Sequence, residues 1–124
     1  MPKENLLEYI QNPNNFALHQ FSFDHVYDQD SSQEEVYTNT ARQAVLSVLE
    51  GFNATIMAYG QTGTGKTYTM EGFKYNNWDE QRGIIPRSIE EIFKFIENGS
   101  DSKVIIIYFT IYNFTLLFLH IHSF

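Results

Sequence analysis

The 124-residue sequence predicts an α/β protein with a parallel-type central sheet flanked by helices, and three observations carry that expectation. Ala54-Thr55-Ile56-Met57-Ala58-Tyr59 is a short apolar run followed at once by glycine, which suits a strand buried on both faces of a parallel sheet. Upstream, Tyr37, Ala41, Ala44, Val45, Val48, Leu49 and Phe52 recur at threes and fours and lay one apolar stripe along a helix. Downstream, Val104 to Tyr112 is β-branched and aromatic, as a further buried strand would be. A striped helix needs a sheet to lie on, and the strands on either side supply it.

Taken in chain order, residues 15 to 27 are rich in aromatics with partial alternation at Phe21 and Phe23, and read as a half-buried strand. Asp28, Asp30, Ser31 and Ser32 form a polar turn. Both Ser31…Glu34 and Ser32…Glu35 have the spacing of a capping box, so a helix begins there and runs to Gly51. After the 54–59 strand and a glycine loop, Thr67 to Glu71 starts a second helix. Gly72 and the polar stretch 74–82 interrupt it as a solvent-exposed insertion. A third helix is marked by Pro86 in its first turn, by Ile89, Ile92, Phe93 and Ile96 on one face, and by Asn98-Gly99 at its end.

Composition narrows the functional classes. The chain is 43% hydrophobic and 16% aromatic, which places it among folded proteins and gives one domain over 1–124, or part of one. Its formal charge is −7; residues 1 to 60 hold eight acids against Lys3 and Arg42, and no basic patch follows. That argues against direct binding of nucleic acid. Without cysteine there is neither a disulfide framework nor a thiolate metal site. Met1-Pro2-Lys3-Glu4-Asn5 resembles no signal or transit peptide, so a cytoplasmic protein is the simple reading, and the N-x-[ST] triplets at Asn53, Asn98 and Asn113 then carry no meaning. The last 21 residues lack charged side chains and approach the length of a bilayer span. Thr110, Asn113, Thr115, His120, His122 and Ser123 break that run, and its first half reads as a core strand, which argues against a membrane segment. His120 and His122 could share one face of a strand, but no carboxylate or cysteine lies near them to complete a metal site. Glu90, Glu91 and Glu97 read as the solvated face of the third helix.

One motif carries chemistry. Gly60-Gln61-Thr62-Gly63-Thr64-Gly65-Lys66-Thr67 matches G-x-x-x-x-G-K-[ST] between a buried strand and the head of a helix, where a P-loop must sit. Glycines 60, 63 and 65 let the backbone curl so that several N–H groups face an anion, and the helix N-terminus adds partial positive charge. Lys66 supplies an ammonium for the β- and γ-phosphate oxygens, and the Thr67 hydroxyl a ligand for the bridging Mg²⁺. The expected ligand is a purine nucleoside triphosphate.

The wider string from Tyr59 to Gly72 resembles the P-loop segment of kinesin motor domains. Phe21-Ser22-Phe23-Asp24-His25-Val26-Tyr27 looks like the strand before that family's first long helix. Arg82-Gly83-Ile84-Ile85-Pro86-Arg87 looks like the segment after its insertion loop, and Ile111-Tyr112-Asn113 like a further core-strand signature. The resemblance runs from about 21 to 113. It implies a P-loop NTPase fold, ATP and Mg²⁺ as cofactors, and an ATP-driven motor that associates with microtubules in the cytoskeleton. Residues 60–67 would hold the phosphates, and Tyr68 would either pack near the adenine or sit partly buried as an ordinary helix residue.

The departures from the family also matter. No Arg-x-Arg-Pro precedes Phe21, and neither Asn-x-x-Ser-Ser-Arg-Ser-His nor Asp-Leu-Ala-Gly, the family's two switches, occurs in this sequence. Residues 114–124 form an apolar tail foreign to the family pattern, so an incomplete motor domain, from a truncated or mis-spliced frame, is the expectation. No catalytic residue is assigned within these residues. The alternatives are a chain that binds nucleotide and docks on a partner without acting as a motor, or a product without function.

Overall fold

The computed structural model describes residues 6–12, 15–73, 80–99, 105–112 and 116–123, with side chains described for 20–73 and 80–99. The chain divides into two units, residues 1–31 and 32–124. In the first, β1 (Leu6–Asn12) pairs antiparallel with β2 (Asn15–Ser22), with an irregularity in register between Ile10 and Asn12. The strand expected over 15–27 therefore stops at Ser22. Beyond it Phe23 is half exposed, and His25 and Tyr27 stack on each other at 6.1 Å. The turn that follows is held by Asp28, whose amide donates to Ser31 Oγ at 3.1 Å and whose carboxylate accepts from the Asp30 amide at 3.0 Å.

The second unit opens with a helical rod from Gln33 to Leu49. Of the two candidate caps, Ser32 serves: its hydroxyl accepts from the Glu35 amide at 3.1 Å and caps α1 (Gln33–Val36). A π-helical stretch, Tyr37–Ala41, then widens the rod by one residue before α2 (Arg42–Leu49). No single residue type announces such a bulge, and the sequence reading has one uninterrupted helix here. The stripe works as expected, with Tyr37, Ala41, Val45 and Val48 buried and Leu49 partly so, while Phe52, past the end of the helix, is exposed.

β3 (Ala54–Met57) lies against α2, and α3 (Lys66–Met70) and α4 (Ile84–Asn98) complete the layer. The core gathers Val45, Val48, Met70, Ile84, Ile85 and Ile92, with Ala54, Ile56 and Ala58 of the β3 segment packed beneath. At about 25 cal/mol per Å² of apolar surface removed from water, this cluster is the main source of stability in the unit. It covers one face of β3 only. Met57 is 71% and Tyr59 97% exposed, which corrects the expectation of a strand buried on both sides. The stripe of α4 is likewise half covered: Ile92 is buried and Ile89 partly so, whereas Phe93 and Ile96 face solvent.

The sheet has the order β3-β5-β4, with β4 at Ile105–Tyr112 and β5 at Leu116–Ser123. Both β3 and β4 pair antiparallel with β5, so those two strands share a direction while every hydrogen-bonded pair runs antiparallel. The parallel-type sheet expected from the sequence thus holds for the sense of β3 and β4 and is corrected for their pairing. The physical reason is the apolar segment 116–123. It folds back beside β4 in the register Tyr112↔Leu116 and presents its other edge to β3 in the register Met57↔Leu116. The insertion 74–82 lies outside the described residues up to 79, and Asn113 lies outside them as well.

At the base of the insertion two backbones meet. Gly72 bridges Arg82, and the Gly83 amide donates to the Glu71 carbonyl at 3.0 Å. A Cβ on Gly83 would lie 2.5 Å from the Met70 carbonyl carbon, and one on Gly72 would lie 2.2 Å from the Gln81 oxygen. Only glycine permits that approach. It ties the end of α3 directly to the start of α4.

Candidate phosphate-binding site

β3 delivers the chain to Gly60, and six residues later α3 begins. Between them the loop folds around one acceptor. The Gln61 carbonyl receives the Thr64 amide at 3.4 Å, the Thr64 hydroxyl at 2.9 Å and the Lys66 ammonium at 2.8 Å. Lys66 is thereby drawn back over the loop rather than left to wander in solvent.

Gly65 is the N-cap of α3 and sits in the left-handed region at φ 90, ψ 11; Gly63 is at φ 85. A side chain at either position would meet no neighbour, so the demand for glycine there is conformational. At Gly60 it is steric, since a Cβ would stand 2.7 Å from Thr64 Oγ1.

No side chain caps α3. Its first intrahelical bond is from the Thr69 amide to the Gly65 carbonyl at 2.9 Å, so the amides of Lys66, Thr67 and Tyr68 precede the ladder and carry the partial positive charge of a helix N-terminus. Lys66 and Thr67 border a hollow of about 380 Å³, which Thr62, Gly63 and Gly65 also line. A curled backbone, one ammonium and one hydroxyl around such a hollow fit a polyphosphate with a hard divalent cation. Among the described residues no cluster of His, Asp or Glu offers a rival metal site.

The structure brings five of the nine expected site residues to this hollow. Gly60, Gln61 and Thr64 shape the loop behind it, and Tyr68 is close to half exposed on α3. What the sequence reading misses is the support beneath. The buried Gln33 side chain donates to the Tyr68 carbonyl at 2.6 Å, and Met70 is fully buried, so α3 is held from two sides. The one trace of this in the sequence is Gln33 itself, a polar residue directly after a helix cap.

A second concavity, about 480 Å³, lies between the helical rod and α4. Here the acids read as a solvated face are corrected in part: Arg42 Nε donates to Glu91 at 2.8 Å, Arg82 and Lys94 each reach Glu90 at 2.7 Å, and only Glu97 stays on the exposed side. Tyr37 donates to the other oxygen of Glu91. Burial, then that bond, pushes the Tyr37 phenol well above its usual range. The bond to Lys94 is the main force holding Glu90 below the usual carboxylate range; Arg82 adds to it and burial opposes it. This is an ion-paired seam between helices.

Strand, glycine loop and helix in this order define the class: a P-loop protein of the α/β type. The kinesin motor domain profile matches residues 2–120, and the chain belongs to that family. It is 50% identical to kinesin-like protein KIF3C of Bos taurus over 88 residues, which is 69% of this chain and 11% of that one. It is 50% identical to kinesin-like protein KIF27 of Mus musculus over 95 residues, 74% of this chain and 7% of that one. Kinesin-related protein 3 of Dictyostelium discoideum is 42% identical over 85 residues, covering 68% and 7%. Among solved structures, a fast kinesin superposes with a TM-score of 0.67 at 36% identity over 73% of this chain and 25% of its own. The chain therefore spans about a tenth of the length of the curated relatives it matches. The family is one of cytoskeletal motors that bind nucleotide with Mg²⁺ and engage microtubules.

Proposed function

We propose that residues 60–67 hold the phosphates of Mg·ATP and that the chain is the nucleotide-binding portion, spanning 1–124, of a microtubule motor of the kinesin type. The observation that carries the reading is the N-terminus of α3, which no side chain caps among the described residues, entered through the left-handed Gly65, with Lys66 lining the same hollow and bonded to the Gln61 carbonyl. The loop amides and the Lys66 ammonium bind and orient the triphosphate, and the Thr67 hydroxyl takes one position on Mg²⁺. When bound, the cation neutralises charge between the β- and γ-phosphates. Tyr68, exposed beside the loop, supplies an aromatic face for the base.

Hydrolysis and movement are proposed for the protein of this family as a whole. The family's two switch segments do not occur in these residues, and charge stabilisation beyond the P-loop is what cleavage requires. The matching solved kinesin is described in terms of an ATPase mechanism and interactions with microtubules, which supports the reading. A microtubule-associated place in the cytoskeleton follows from it.

Calorimetry with Mg·ATP tests the site. Lys66→Ala removes the one ammonium that the described residues place at the hollow, and the expected outcome is a rise in Kd of tenfold or more, about 1.5–3 kcal/mol for a charge-assisted bond. An unchanged Kd would sink the assignment.

A further inference from the structure

α3 is a single turn, and a helix that short is nearly all terminus. The Tyr68 carbonyl lacks its helical partner: the Gly72 amide, four residues on, goes instead to the Thr67 carbonyl at 3.4 Å, which already accepts the Glu71 amide at 2.8 Å. Gln33 fills the gap from 35 residues away, its side-chain amide donating to the Tyr68 oxygen at 2.6 Å. Gln33 and Ser88 are the two buried polar residues among those described, and the Ser88 hydroxyl donates to the Ile84 carbonyl of its own helix. Gln33, 6% exposed, is thus a buried side chain whose hydrogen bond crosses to another element, as that of the Tyr37 phenol does.

We propose that Gln33 is a positioning residue for nucleotide binding, acting through α3 on the Thr67 hydroxyl. This rests on the nucleotide reading above. A one-turn helix can rotate about its axis unless it is held along its length; Met70 in the core and the Glu71–Gly83 backbone bond hold its end, and the Gln33 bond is the tether beside Thr67. Thr67 immediately precedes the tethered peptide, so any rotation of α3 carries its hydroxyl away from the hollow. The tether is itself anchored. Gln33 directly follows the cap at Ser32, whose hydroxyl accepts from the Glu35 amide and fixes the start of α1. Loss of the Gln33 donor would leave the Tyr68 carbonyl without its partner in a part-buried bond, and reorientation of α3 is the way to relieve it.

The test uses the whole chain, with Mg·ATP as the probe and calorimetry as the readout. Gln33→Met keeps the length and bulk of the side chain and removes the donor; Kd is expected to rise about fivefold. In a Thr67→Ala background the same change should alter Kd by less than about twofold, because the group that Gln33 positions is gone. Tyr37→Phe is the control for stability: it lowers the melting temperature and leaves Kd at the wild-type value. If Gln33→Met is unfolded at the assay temperature, Gln33→Asn, which withdraws the amide by one methylene, is read in its place with the same expectation. Folded Gln33 variants with wild-type Kd, or an equal loss in both backgrounds, would overturn this inference alone. Failure of the wild-type chain to bind Mg·ATP would overturn the nucleotide reading and this inference together.

Discussion

At the scale of single residues, the P-loop is legible in the sequence because its requirements are local. Gly65 must be glycine for its own φ of 90, and Gly60 for a neighbour only four residues away. A motif of eight residues can state all of that. Gly65→Ala tests the conformational part: the left-handed backbone costs about 1–2 kcal/mol with a Cβ, and no collision adds to it. The expected result is a lower urea midpoint together with weaker Mg·ATP binding, read by chemical denaturation and calorimetry on one preparation. Gln33 and Glu91 are a different case. Each meets a partner about 35 or more residues away, and nothing in a linear pattern pairs Gln33 with Tyr68 or Glu91 with Arg42. Sequence periodicity puts Glu91 on a polar face, and the structure shows what that face touches.

Elements were legible where periodicity and caps agree. The rod from Gln33 to Leu49 and the helix from Ile84 to Asn98 both lie where their stripes put them. Two serines with equal spacing competed for the first cap, and geometry selects Ser32, because the Ser31 hydroxyl is engaged with Asp28 in the preceding turn. Ser32→Ala is therefore expected to cost about 1 kcal/mol and Ser31→Ala much less at that helix, as measured by denaturation midpoints of the two variants. The π-helical stretch at Tyr37–Ala41 was not legible. It turns Tyr37 into the core and toward Glu91, a demand set by α4 rather than by local propensity. The half-covered stripe of α4 has the same origin, since periodicity marks which face is apolar and cannot say how much of it a neighbour will cover.

For the whole molecule, the ion-paired seam makes stability depend on pH at both ends. The Tyr37 phenol is held above its usual value of about 10, so its contribution is whole below that pH and is lost as pH rises past it. Glu90 is held below its usual 4.5, so its contribution is present above that value and lost as pH falls below it. The urea midpoint should be flat from about pH 5 to about pH 10 and decline outside. Tyr37→Phe should flatten the alkaline limb and leave the acid limb unchanged; an unaltered alkaline limb would show that the seam does not govern it. By itself the sequence determined the class of fold, the P-loop and the family, because a strand, a curled loop and a helix start are encoded within about fifteen contiguous residues. Only the tertiary structure decided the pairing of the sheet, the single covered face of β3 and the buried amide beneath α3. Those depend on which distant segments share an edge or a carbonyl, and a hydrogen bond between residues far apart in the chain leaves no periodic trace in either.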